Sequence, residues 1–205
     1  MIFNMDNTVI FIDGGYLSFI SKHLGEGKPL KFKIEKFAEN LAKMNGLSCK
    51  EIYYYTAPPY QSASPTESEN KRKRNYDKFI QKIGKLNPKI HTREGRCQKD
   101  DKGCFHQKGV DTLLTMDLLK VSQKGDIKTI ILLTADTDFV PIIKDIQKDY
   151  GMKVILAYFT DRKRKSAFSL SNHLWDNCDK KILLKKEDFD GLNLLLYRRD
   201  NKNKI

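Results

Sequence analysis

Four aspartates fall where apolar runs end or helices begin. Asp13 is the last residue of Thr8–Asp13 (TVIFID), and Asp136 and Asp138 follow directly after Thr129–Thr134 (TIILLT). Asp111 lies in the first turn of a helix opened by Lys108, Gly109 and Val110. Carboxylates brought together repel one another unless a cation or protons compensate, and a divalent ion is the simplest compensation. Magnesium and manganese prefer oxygen ligands and keep several waters, so an all-aspartate site suits them better than zinc. Such ions can activate water and stabilise the attacking and leaving oxygens of a phosphodiester displacement. Each aspartate also has a structural explanation, because the residue caps helices and suits their positive N-terminal ends. Asp138, for one, could be the N-cap of a helix beginning at Phe139. Convergence of all four on one rim is what the chemistry requires.

The elements around them have the pattern to bring this about. Thr8–Asp13 is rich in β-branched residues and predicts a buried strand, with a tight turn at Gly14 and Gly15. Glu51–Thr56, Lys89–Arg93, Thr129–Thr134, Lys153–Phe159 and Ile182–Leu184 are the further candidate strands. Ile34, Phe37, Ala38 and Leu41 recur at helical spacing, as do Val110–Val121 and the series Phe139, Ile142, Ile143 and Ile146. Glu67–Gly84 predicts a charged helix and Ser166–Leu174 another, whereas Gly95–Lys108 shows no periodicity and is expected to be an exposed loop. Strands alternating with helices imply an α/β fold, with a mostly parallel sheet covered by helices on both faces. Sites in such open sheets form at the carboxyl ends of the strands. If the first and fourth strands are neighbours, three chain segments deliver carboxylates to one rim. A single domain over residues 1–190 is expected, followed by a basic tail, 191–205.

Asp117 interrupts the apolar stripe of its helix, since a seven-residue step from Val110 lands on it. A carboxylate on a buried stripe needs a partner. That partner is backbone, a basic group, or a metal site supported from behind.

The chain of 205 residues carries a formal charge of +12, which draws it to polyanions, and nucleic acid is the commonest of these in a cell. A lysine-rich proteome would produce the same charge, so charge alone does not decide. Lys71–Arg74 (with Arg72 and Arg74) and Arg162–Lys165 (with Arg162 and Arg164) are compact basic clusters. With Arg93, Arg96 and Lys108 they outline a path for an RNA backbone. Tyr16 and the Tyr53–Tyr55 run are candidate stacking faces, although strand alternation sends most of that run to the core. Cys97, Cys104 and His106 supply three zinc ligands where a structural site needs four, so loop thiols are expected instead. No apolar run approaches the length of a membrane span and the N-terminus has no basic region or cleavage site; the expected address is the cytoplasm. The oligomeric state stays open, a homodimer included.

The same residues resemble a known family. Phe11–Tyr16 (FIDGGY), Lys108–Asp111 (KGVD) with Asp117, and Thr134–Pro141 (TADTDFVP) resemble the NYN domain, in the LabA-like branch of the PIN-like nucleases. Gly151–Val154 and the stretch from Ser169 to Asp179 fall where that family has a glycine-led strand and a final Ser…Leu…Asp segment. The resemblance covers roughly residues 8–185. It implies a Rossmann-like sheet and a Mg²⁺- or Mn²⁺-dependent ribonuclease. Asp13, Asp111, Asp136 and Asp138 match the acidic set, Asp117 an additional acid, and Thr134 a hydroxyl that helps position the site. Many members carry Asn shortly after the first Asp, where this chain has Gly15 and Tyr16.

Three functions compete at this level. A ribonuclease, with single-stranded DNA still admissible as a substrate, accounts for both the acids and the charge. A non-catalytic RNA-binding module on the same fold accounts for the charge alone. A small-molecule phosphohydrolase fits least, because Asp13 is followed by Gly14-Gly15 rather than by a second Asp two residues on.

Overall fold

A computed structural model describes residues 5–86, 89–160 and 170–190. Six parallel strands form one sheet: β1 (Asn7–Asp13), β2 (Ser48–Thr56), β3 (Ile90–Glu94), β6 (Thr129–Leu133), β7 (Lys153–Tyr158) and β8 (Lys180–Leu183). Their spatial order is β3-β2-β1-β6-β7-β8, so the fourth strand of the sheet lies beside the first. Chain order therefore reverses between β1 and β6, and this is the crevice where open α/β sheets place ligands. Ile12 pairs with Leu133 in that central ladder, which sets Asp13 level with Thr134.

The sheet is buried on both faces by the alternation of its strands. Ile10, Ile12, Ile52 and Ile131 face one core, closed by α1 (Gly14–Leu24), α2 (Ile34–Met44) and α7 (Lys186–Asp190). Val9, Phe11, Ile130 and Leu132 face the other, under α4 (Val110–Lys124), α5 (Val140–Tyr150) and α6 (Asn172–Asp176). The long helix α3 (Glu67–Leu86) flanks β3 and opens on a capping box: the Thr66 hydroxyl accepts from the Glu69 N–H, and the Glu69 carboxylate accepts from the Thr66 N–H. Among the described residues no helix is long and apolar enough to cross a membrane.

Two local expectations change. Gly14 and Gly15 do not form a separate turn; α1 starts at Gly14, immediately after the strand. Gly95–Lys108 is not an irregular loop but an antiparallel ribbon, β4 (Arg96–Lys99) with β5 (Phe105–Lys108). Backbone pairing builds it without an apolar face, so there was no hydrophobic period to read. Of the helix expected over Ser166–Leu174, only its end is described, in α6. The remainder lies outside the described residues, as do Arg162, Arg164 and the tail 191–205.

Gly14 is required by close approach. A Cβ there would stand 2.6 Å from the Tyr55 carbonyl oxygen and 2.7 Å from the Tyr54 hydroxyl. Gly14→Ala should cost about 1–3 kcal/mol, the usual penalty of overpacking, read as a lowered urea midpoint. Gly84→Ala is the control: it lies in α3 with nothing within 4 Å of the added methyl. It should gain about 0.5–1 kcal/mol.

Candidate active site

Asp13 is held by the helix it precedes. The N–H groups of Gly15 and Tyr16 both donate to its Oδ1, at 2.8 and 3.1 Å, which makes it the N-cap of α1. Among the described residues Oδ2 has no hydrogen-bond donor. Asp136 repeats the device across the crevice. Its own N–H donates to the fully buried Thr134 hydroxyl at 3.1 Å, and its Oδ1 accepts from the Asp138 N–H at 2.9 Å. The cap of the short 3₁₀ turn Thr137–Phe139 is thus Asp136, and the expectation that Asp138 would cap a helix there is corrected. A carboxylate two residues earlier reaches the free N–H groups first. Asp111 occupies the first turn of α4, whose N-cap is Gly109, left-handed at φ 81° and without a side chain to offer.

These carboxylates feel one another. Burial holds the Asp13 carboxyl above its ordinary value; the two backbone hydrogen bonds oppose that shift, and the charges of Asp111 and Asp136 add to it. The Asp111 carboxyl is raised too, by desolvation first and then by Asp136 and Asp138. All four acids therefore share one electrostatic neighbourhood at the carboxyl ends of β1 and β6. Among the described residues none of the four has a basic side chain within 4.0 Å. Elsewhere acids do find cations: Glu39 pairs with Lys36, Asp77 with Lys73, and Asp126 with Lys50. In a chain of charge +12, the lack of a nearby cation among the described residues sets these four acids apart from the paired ones.

Asp117 is the opposite case. It is only 4% exposed, and Arg93 grips it with Nε to Oδ2 at 2.7 Å and Nη2 to Oδ1 at 3.2 Å. The Tyr55 hydroxyl donates to Oδ2 at 3.2 Å, and the Lys120 ammonium stands 3.8 Å from Oδ1. Of the alternatives open for Asp117, the basic group is the one realised. Arg93, expected on the RNA path, is thereby engaged inside the protein.

The donor set fits a hard cation. The acids offer only carboxylate oxygens, two of them (Oδ2 of Asp13 and of Asp136) oriented by backbone bonds to the neighbouring Oδ1 and, among the described residues, without a donor. Among the described residues no three His, Cys, Asp or Glu side chains stand close enough to enclose an ion directly. In the ribbon, Cys97 and Cys104 are free thiols, and His106 bonds Asp100 at 2.8 Å.

Of the basic residues, Arg72 and Arg74 are exposed in the second turn of α3. Arg96 and Lys108 are exposed and directly opposite each other in the ribbon. Tyr16 is not a stacking face. It is fully buried, and its hydroxyl accepts from the Phe159 N–H at 2.9 Å. Asp179 also serves the fold, accepting from the Val154 N–H and the Gln147 amide. Sequence reasoning did not place two residues beside Asp13: Gly14, read only as part of a turn, and the buried Tyr54, whose hydroxyl a Cβ at Gly14 would meet and whose acidity is lowered by burial and by Asp13. Strand alternation was the available signal for Tyr54, since it puts Tyr54 on the face of Ile12 and opposite Tyr53 and Tyr55.

A Rossmann-ordered parallel sheet with acids at its switch point defines an α/β protein of the PIN-like type. The NYN domain model matches residues 7–184, and the chain belongs to that family, within the PIN-like nuclease superfamily. Among solved structures it is similar to the crystal structure of a protein of unknown function from Vibrio parahaemolyticus, with a TM-score of 0.54 and 15% identity. The match covers 92% of this chain and 99% of that one, and at such identity it speaks for the fold alone. No curated protein matches the chain.

Proposed function

We propose that this protein is a Mg²⁺- or Mn²⁺-dependent ribonuclease acting in the cytoplasm. The observation that carries the reading is the pairing of β1 with β6, which brings Asp13 level with Thr134 and so beside the Asp136–Asp138 turn, with no basic side chain within 4.0 Å of these acids or of Asp111 among the described residues. In this reading the four acids hold the ion directly or through water. When bound, the ion supplies Lewis acidity to the scissile phosphodiester and to the attacking water. The chain's own share is orientation. The backbone of α1 fixes Asp13, the Thr134 hydroxyl and the Asp138 N–H fix Asp136, and the buried Asp117–Arg93 pair anchors α4, which carries Asp111. Arg72, Arg74, Arg96 and Lys108, and in sequence Arg162 and Arg164, would attract the phosphates of the substrate.

The alternative is an RNA-binding module without turnover, favoured by Gly15 and Tyr16 standing where many NYN domains carry Asn. The two separate in one assay. Labelled RNA and a chromogenic phosphate ester are each incubated with Mn²⁺, and again with EDTA. The ribonuclease reading expects RNA cleavage that EDTA abolishes, and no ester turnover. Salt-sensitive RNA binding with no metal-dependent cleavage of any RNA tried would replace it with the binding module.

A further inference from the structure

The ribbon beside Asp111 joins basic side chains to an exposed aromatic ring. It leaves the sheet at Gly95, whose N–H donates to the Thr56 carbonyl at 2.9 Å, and returns at Gly109, two residues before Asp111. A Cβ at Gly95 would lie 2.5 Å from the Lys108 carbonyl oxygen, so the base of the ribbon is tightly closed. Its tip is fixed by Asp100, whose Oδ1 accepts from the N–H groups of Lys102 and Cys104 while Oδ2 bonds His106. All four β5 residues are exposed.

Phe105 is 56% exposed, the most of any large hydrophobic residue described. Its ring stands 5.4 Å from that of Tyr60, and the Lys99 ammonium lies 5.9 Å from its centroid. Lys99 and Phe105 are cross-strand partners and share one face of the ribbon. Arg96 and Lys108 share the other, directly opposite each other, an arrangement of like charges that repels in an antiparallel pair. Residues 95–109 hold four Lys or Arg against two Asp, and one of those acids, Asp100, is tied to His106. A basic strand pair that leaves an aromatic ring open to solvent suits a polyanion with flat, accessible rings. A duplex hides its base faces, whereas an unpaired strand presents them to aromatic side chains.

We propose that the β4–β5 ribbon is a single-strand-binding arm. An unpaired base stacks on Phe105 within the Phe105–Tyr60 pair, and Lys99 meets the adjoining phosphate. Asp111 is six positions on from Phe105, a reach of at most roughly 20 Å along extended chain, so the arm would feed a strand toward the acidic rim. This names a substrate class for the proposed nuclease and rests on that reading only for what happens after binding.

The test is therefore made in EDTA, without turnover. Anisotropy of a short fluorescein-labelled oligouridylate, and of an A·U RNA duplex of equal length, is measured with wild type, Phe105→Ala, Phe105→Leu, Phe105→Tyr and Lys108→Ala. Phe105→Ala and Phe105→Leu should weaken the single strand by about tenfold or more and leave the duplex unchanged. Phe105→Tyr should bind as wild type, and Lys108→Ala should weaken both ligands alike. Wild-type melting temperatures are expected for the Phe105 variants, because the ring is exposed, and Leu keeps the apolar contact with Tyr60 should Ala disturb it. Single-strand affinity that survives in Phe105→Leu, or a loss shared equally by the duplex, overturns the arm. Neither result depends on whether the protein cuts RNA with Mn²⁺, so the two readings can fail separately.

Discussion

Asp13→Asn is expected to leave RNA bound and uncut. Asparagine is as good an N-cap as aspartate, so its amide oxygen can still accept from the Gly15 and Tyr16 N–H groups and α1 should start unchanged. What disappears is the negative charge at Oδ2. Turnover should fall by more than about a hundredfold, since changes one shell further from a metal already reduce activity 10–100-fold. Asp136→Asn should behave in the same way, because its amide oxygen can keep the bond from the Asp138 N–H.

The stability of the same variants gives an independent readout. The folded-state Asp13 carboxyl is raised above its ordinary 3.8, so between that value and the raised one the native state holds more protons than the unfolded state. Stability is then greatest at low pH and declines as pH rises through the raised value. In metal-free buffer the wild type should lose more stability than Asp13→Asn between about pH 4 and pH 7. At neutral pH the variant should melt at the same temperature or higher. Mn²⁺ should reverse the order: at a hundred times its Kd it stabilises the wild type by about 2.7 kcal/mol and leaves the variant unmoved. A variant that still cleaves at the wild-type rate, or that melts with the same Mn²⁺ response, would remove Asp13 from the site.

The second large effect belongs to Arg93. Its guanidinium compensates a carboxylate that is almost wholly buried, and removing it leaves that charge without its closest partner. Breaking a buried pair from one side typically costs 3–5 kcal/mol. Because the Arg93 side chain is itself 33% exposed, the expectation for Arg93→Met is reduced to about 2–3 kcal/mol. Adding Asp117→Asn should restore part of the loss, since the Tyr55 hydroxyl can still donate to the amide oxygen. A double variant more stable than Arg93→Met alone identifies the pair as the cause. If Arg93→Met instead unfolds at the wild-type urea concentration and binds RNA more weakly, Arg93 is a phosphate contact first.

Much of the fold was legible because it is written in short-range pattern. The apolar runs ending at Asp13 and Thr134 are strands because β-branched residues suit a surface buried on both faces, and α2 and α5 are helices because their apolar residues repeat with the helical period. The start of α1 at Gly14 was less legible. Its reason is a contact with Tyr54 and Tyr55 on a neighbouring strand, and no local pattern encodes a contact of that kind. The ribbon at 96–108 stayed hidden for a related reason: it is held by paired backbone groups, and its side chains face water.

By itself the sequence determined which residues could do chemistry: four aspartates at element ends, a basic surface and an α/β pattern that must carry its site at the strand ends. Tertiary structure alone decided how those residues divide. Asp117 lies in the same motif as Asp111, yet it is buried against Arg93 and Tyr55, while Asp13, Asp111, Asp136 and Asp138 have no basic side chain within 4.0 Å among the described residues. The physical reason is that a carboxylate's role depends on the charges within a few ångströms of it. Some of those charges come from strands and helices more than a hundred residues away, brought together only when β6 pairs with β1.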